Sequence, residues 1–195
     1  MPKAPAKTKF AIMPELMLRR MSPLADVVVQ GRCGADRGAP GVTFSVRHPM
    51  SIVTVIARAG KAKAVAEALE PYAPRWAGPE QYFVVAEAKG EGALYRELKS
   101  ALEGLASVSD QSHGRVTIRA EGLKVRYVLA KGTPVDLYTD EFPIGKSALT
   151  QMAHVGVHLT RVGDDAFELS VFRGFAESFW EWITGQAEEF GYQVR

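Results

Sequence analysis

The chain has 195 residues, of which 47% are hydrophobic and 24% charged, and its formal net charge is +2. That balance suits one domain, or two small fused halves with a sizeable core, and excludes a whole-molecule electrostatic claim on nucleic acid. A single cysteine, Cys33, excludes an internal disulfide and a four-thiolate zinc site, and its lone use fits a reducing cytoplasm.

Met1 to Lys9 is rich in Lys, Pro and Ala and has no apolar stretch behind it, so it does not read as a secretory signal. No apolar run approaches the ~18 residues of a spanning helix. Leu16 to Leu24 is apolar without a clean period, and Gly31 to Gly41 carries four glycines and a proline, which reads as loop. Residues 1–41 are therefore expected to form a flexible N-terminal arm that lies on its own domain or on a partner. Residues 42–195 are expected to be the folded part, in halves of about 42–110 and 111–195.

From Val42 the signals sharpen. Val42 to Arg47 alternates as a strand, and the β-branched Ser51 to Arg58 reads as a buried one. Gly60 to Leu69 is helical, with Val65, Ala68 and Leu69 on one face, and Pro71 and Pro74 stop it. Tyr82 to Glu87 is a strand. Gly92 to Gly104 is a helix with Leu94, Tyr95, Leu98 and Leu102 on one face. Leu105 to Ser109 and Arg115 to Arg119 are short strands, and Gly122 to Ala130 is a third helix. Gln151 to Arg161 and Ala166 to Arg173 alternate strongly around a Gly163-Asp164-Asp165 turn, which makes a hairpin. Strand pairs interleaved with helices give an α+β fold, as two fused small α/β halves with antiparallel or mixed sheets.

The last helix is read over Gly174 to Phe190. At 100° per residue, Trp182, Phe175, Phe179, Phe190, Ile183, Ala176, Ala187 and Trp180 fall on one arc of roughly 160°, wider than an ordinary amphipathic stripe. An arc that wide predicts more than one partner surface. The Phe175, Phe179, Ile183 line is expected to be core, and the Trp180 or Trp182 edge to reach a neighbour.

Residues that could carry chemistry each have a plainer reading. His154 and His158 would share a helix face, but the segment alternates as a strand. That spaces them ~13 Å apart, too far for one zinc. Asp164 and Asp165 follow a glycine between two strands, which is turn chemistry. Cys33 has no His in its stretch to act as a base. Asp110-Gln111-Ser112-His113 groups an acid, a hydroxyl and an imidazole in one turn, whereas relay groups normally arrive from separate elements. Gly145-Lys146-Ser147 lacks the earlier glycine of a phosphate-binding loop.

Several tags in order carry a resemblance. They include Val53-Thr54-Val55-Ile56-Ala57-Arg58, Trp76-Ala77-Gly78-Pro79-Glu80-Gln81-Tyr82 and Ser109-Asp110-Gln111-Ser112-His113-Gly114. Further on come Phe142-Pro143-Ile144-Gly145-Lys146-Ser147, Gly163-Asp164-Asp165-Ala166-Phe167-Glu168-Leu169 and Gly174-Phe175-Ala176-Glu177-Ser178-Phe179-Trp180-Glu181-Trp182. Over about Ser22 to Phe190 the chain resembles the gamma subunit of heterotetrameric sarcosine oxidase. The resemblance implies a fold similar to the folate-binding domain of glycine-cleavage aminomethyltransferases. It also implies a chain without catalytic, cofactor or metal residues of its own. Its complex would demethylate sarcosine oxidatively to glycine, with formaldehyde or 5,10-methylenetetrahydrofolate and hydrogen peroxide as the other products. FAD, FMN, NAD and zinc would belong to the alpha, beta and delta partners.

In that setting Trp76, Trp180, Trp182, Leu16, Met17 and Met21 are the candidate subunit contacts. The alternative is a stand-alone folate or one-carbon binding protein of the same fold. There Arg115 and Arg119 would anchor a glutamate tail and Trp76 would stack.

Overall fold

A computed structural model describes residues 20–36, 38–87 and 89–195. The chain enters a large sheet with β1 (Gly31–Cys33) and β2 (Val42–Arg47). It then leaves to build a second sheet from β3 (Met50–Ala57), β4 (Arg75–Gly78), β5 (Gln81–Glu87) and β6 (Ala106–Asp110), with helices α1 (Ala62–Leu69) and α2 (Ala93–Ala101) between them. It returns through β7 (Arg115–Glu121), α3 (Val125–Ala130), β8 (Ser147–Met152), β9 (Val155–Gly163), β10 (Ala166–Phe172), α4 (Ala176–Ala187) and β11 (Tyr192–Val194).

The large sheet has the order β1-β11-β2-β7-β10-β9-β8, and the small one β4-β5-β3-β6. Strands β2 and β7 are antiparallel neighbours, so the small sheet is an excursion between two adjacent strands of the large one. The halves therefore divide differently from the sequence reading: Val42 to Arg47 belongs to the large sheet, with everything after β6.

Each sheet carries its own apolar core on its helical side. Val53, Val55, Ala57 and Val84 meet Val65, Leu69, Leu94, Leu98 and Leu102 of α1, α2 and the turn that follows α2. Phe44, Ile118, Leu159, Phe167, Leu169 and Val171 meet α3 and the Phe179, Trp180, Ile183 side of α4. The other faces of the two sheets turn toward each other, which gives the layers helix, sheet, sheet, helix.

Four readings change. The stretch Gly31 to Gly41, expected to be loop, contains β1, which pairs with β11 in the register Gly31↔Val194 to Cys33↔Tyr192. Leu24, in the segment without a period, is fully buried in the larger core. The single strand expected over Gln151 to Arg161 is two strands, β8 and β9, with Ala153 and His154 between them at φ 49° and 65°. Two consecutive positive φ values make the tight hairpin turn whose usual signature is Asn-Gly, and Ala-His hides it. The last helix begins at Ala176, because Arg173–Phe175 is a 3-10 turn outside the helical phase. Phe175 is thereby 54% exposed instead of aligned with the fully buried Phe179 and Ile183.

Candidate functional site

The seam between the sheets is where polar side chains collect. Alternation along β9 and β10 sends Val157, Leu159, Leu169 and Val171 into the helical core. It sends His158, Thr160, Glu168 and Ser170 to the opposite face. The register brings Ser170 beside His158 and Thr117, and Glu168 beside Thr160 and Arg119. Because this face meets the small sheet rather than water, all of these except Arg119 are buried.

His158 is the centre of the seam. Its Nε2–H donates to the Trp76 carbonyl at 2.9 Å, and its ring meets Phe83 edge-on at 4.8 Å. Burial pushes its pKa down to about 4; the bond to the Trp76 carbonyl opposes this, and the smaller effects of the Arg75 and Arg115 charges push it down further. The imidazole is therefore neutral near pH 7 and acts as a fixed hydrogen-bond donor between β9 and β4.

Beside it Arg75 of β4 places Nη1 2.7 Å from Oε2 of Glu168 on β10, a buried ion pair across the seam. Arg115 completes the group. Its guanidinium lies 4.7 Å from the Phe83 ring centroid and 4.1 Å from that of Phe172. Burial makes this guanidinium easier to deprotonate than a solvated one. The Nε of Arg115, the Oγ of Ser170 and the Oε2 of Glu168 are buried with no hydrogen-bond partner among the described residues, so Arg75 and Glu168 make a close charge contact without hydrogen-bond alignment.

The residues picked out as chemical candidates are engaged elsewhere. His154 sits in the β8–β9 turn while His158 is in the seam, so the pair does not even share a strand. Among the described residues no three His, Cys, Asp or Glu side chains gather as a metal-binding group. Asp110 accepts the Ser112 amide at 2.8 Å, and the Ser112 hydroxyl accepts the Ile52 amide at 3.0 Å. His113 faces Glu91 instead, so the four-residue cluster is a turn and no relay. Asp165 pairs with Arg126, and Asp164 is solvent-facing beside Arg161. Arg161 was not singled out by sequence. It is buried and donates to the carbonyls of Gly163, Phe142 and Asp164 at 3.0, 2.9 and 3.0 Å, tying the Phe142 loop to the β9–β10 turn. Cys33 is half-buried on β1 opposite Tyr192. Ser147 of the Gly145-Lys146-Ser147 stretch bonds Thr160 at 2.9 Å.

The candidate contact residues separate clearly. Trp76 is 47% exposed on β4, an edge strand of the small sheet. Met21 is exposed. Trp180 is 7% exposed, with its ring edge-on to Phe44 at 5.9 Å, so it belongs to the chain's own core and offers no outer surface. Trp182 is half-buried and lies over Gly132, whose missing side chain makes room for it. Leu16 and Met17 lie outside the described residues. The expected anchor of Arg115, Arg119 and Trp76 is not one cluster. Arg115 and Trp76 both flank His158, while Arg119 is committed to Glu121 at 2.8 Å.

Comparison with known proteins gives this architecture a family. A family model described as "Sarcosine oxidase, gamma subunit family" matches residues 55–189. The sarcosine oxidase subunit gamma of Corynebacterium sp. (strain U-96) is 30% identical over 116 residues, which are 59% of this chain and 56% of that protein. The corresponding subunit of an Arthrobacter species is 32% identical over 127 residues, 65% of this chain and 62% of that protein. These matches thus span less than two thirds of the curated relatives' own lengths.

Among solved structures, a chain of the heterotetrameric sarcosine oxidase from Corynebacterium sp. U-96 superposes with a TM-score of 0.76 at 26% identity. That match covers 88% of this chain and 96% of that one. The glycine cleavage system aminomethyltransferase T of Bartonella henselae shares the fold, with a TM-score of 0.58 at 20% identity over 79% of this chain and 47% of that one. With more than half of its length matched by the family and its layered sheets reproduced in a solved relative, the chain belongs to the sarcosine oxidase gamma subunit family.

Proposed function

We propose that this chain is the non-catalytic gamma subunit of a heterotetrameric sarcosine oxidase, assembled with alpha, beta and delta subunits. The observation that carries the reading is the superposition on nearly the whole of a chain from such an oxidase. In this reading the complex converts sarcosine, oxygen and water to glycine, formaldehyde and hydrogen peroxide, or passes the one-carbon unit to tetrahydrofolate as 5,10-methylenetetrahydrofolate. FAD, FMN, NAD and zinc are held by the partner chains. No helix among the described residues is long and apolar enough to cross a membrane, and the assembly is assigned to the cytoplasm as part of the same reading.

The chain's own residues support a scaffolding role. Three titratable groups of the seam hold the sheets together: His158 donates to a backbone carbonyl, and Glu168 is taken by Arg75. The outer surface also carries exposed apolar side chains, including Trp76, Leu149 and Phe172. Large, permanent interfaces are built on such surface, with aromatic and Arg anchors. The test is purification of the tagged chain from its host at native expression. Recovery of flavin-bearing chains in fixed stoichiometry, with sarcosine-dependent peroxide release, is expected. A chain recovered alone overturns the reading.

A further inference from the structure

The face that carries His158 extends beyond the edge of the small sheet. There Arg115, Leu149, Gln151, Gly156 and Phe172 line an open groove of about 310 Å³. Leu149 and Phe172 are 50% and 47% exposed, large values for side chains of their size. Strand β4, the edge of the small sheet, packs beside β8 and bounds the groove. Gly156 is on the floor, where an added Cβ would meet no atom within 4 Å.

Arg115 is the charged residue of this groove, and its charge is unspent. No ion pair among the described residues reaches it, its Nε is buried without a partner, and Glu168 of the same sheet face is held by Arg75. Its two ring neighbours fix the guanidinium plane but provide no acceptor. A partly buried cation without an acceptor is costly, and a carboxylate that reaches it recovers that cost as a charge-assisted, two-pronged hydrogen bond. The ligand must also cover apolar surface on both sides of the charge. The groove is open along its length and does not enclose its contents, which suits a chain segment better than a small molecule.

We infer that this groove docks another subunit of the complex, through a segment that presents one Asp or Glu carboxylate to Arg115 between apolar side chains seated on Leu149 and Phe172. The inference rests on the subunit reading above and places one of its interfaces.

Gly156→Glu tests it with little risk to the fold, because the new side chain enters open space. It lays a carboxylate along the groove floor, supplying Arg115 with an acceptor from its own chain and filling the seat of the partner. Leu149→Ser removes part of the apolar rim and leaves the charge. Each variant is co-expressed with the remaining subunits of the oxidase, and the dissociation constant of the assembled complex is measured by dilution and mass photometry. Both variants are expected to fold, by circular dichroism, and to weaken association by at least about tenfold, the loss expected when an interface anchor is removed.

If the wild-type complex assembles and both variants match it, the groove inference is overturned and the subunit reading stands. If the wild-type chain does not assemble, both fall. If assembly is unaffected but the chain binds benzoate, and Gly156→Glu abolishes that binding, the groove is a small-carboxylate site and the docking inference is overturned.

Discussion

The ion pair between Arg75 and Glu168 ties the two sheets together, and its loss has a calculable effect. At 2.7 Å and an effective dielectric of about 20, the gross attraction is ~6 kcal/mol. Desolvation of both groups takes back most of that, so the pair as a whole contributes little net stability. Removing one member is different. Arg75→Met leaves the Glu168 side chain, only 5% exposed, buried with no cation, which costs about 3–5 kcal/mol in buried sites. Because the Arg75 side chain is itself 20% exposed, water can reach part of the gap, and the low end, about 3 kcal/mol, is expected. For a chain of this size that is a melting-temperature drop of roughly 6–12 °C.

The double variant Arg75→Met with Glu168→Leu removes both charges and keeps the volume. It is expected to recover to within about 1 kcal/mol of wild type. Urea unfolding of the four proteins, followed by circular dichroism, closes the double-mutant cycle. The reasoning is refuted if Arg75→Met costs under about 1 kcal/mol, or if the double variant is as unstable as the sum of the singles.

Three further outcomes are expected. His158 stays neutral in the fold down to about pH 4, whereas an unfolded His takes up a proton below about 6.5, so its contribution is complete above 6.5 and lost as pH falls toward 4. At ~1.4 kcal/mol per pH unit the loss approaches about 3 kcal/mol. Unfolding free energies of wild type and His158→Gln, from urea titrations at pH 7.5 and pH 4.5, should converge by that amount on acidification, and parallel titration contradicts it. Gly132→Ala would set its Cβ 2.1 Å from Cη2 of Trp182, so the ring must shift, with a cost of about 1–3 kcal/mol and an altered near-ultraviolet dichroism spectrum. Phe175→Ser should change the stability of the isolated chain by less than about 0.5 kcal/mol, while Phe179→Ala costs about 3–5 kcal/mol. Equal losses in thermal melts would restore Phe175 to the core.

Most elements were legible because their signals are local. The Leu94, Leu98, Leu102 row and the Val157, Leu159 and Leu169, Val171 alternation each imply one buried face, and each is buried. What escaped depended on partners far along the chain. Strands β1 and β11 have three residues each and exist because they pair with one another and with β2, which no short window reveals. The β8–β9 turn was hidden by its Ala-His sequence, and the last helix was entered two residues early because a 3-10 turn does not alter composition.

The seam was missed for a subtler reason. His158, Thr160, Glu168 and Ser170 occupy the polar phase of a clean alternation, and such a phase ordinarily faces water. The available hint was a Glu and a Ser inside a β10 run that is otherwise apolar up to Phe172. Trp180 and Trp182 show the same limit, since helical phase placed both at the edge of the arc but could not tell which edge met Phe44.

That the seam is polar has a structural consequence under the proposed subunit role. Each sheet already has an apolar core against its own helices, so the two sheets could meet through an apolar layer and still be stable. Such a layer is tolerant of sliding, because apolar contact has no direction. Directional contacts are not. The bond from His158 to the Trp76 carbonyl is met in one relative placement of β4 against β9, and the close approach of Arg75 to Glu168 holds β4 beside β10. That placement also sets how much of the face carrying Leu149, Phe172 and Arg115 the edge strand β4 leaves uncovered. A docking face bounded by a second sheet needs that edge fixed before the partner arrives, since ordering it on contact would subtract from affinity. The buried His and ion pair are therefore better understood as setting the geometry of an outer surface than as remnants of a catalytic centre. A variant that frees the seam, such as His158→Gln, should weaken subunit association through the spacing of that surface even where the chain still folds.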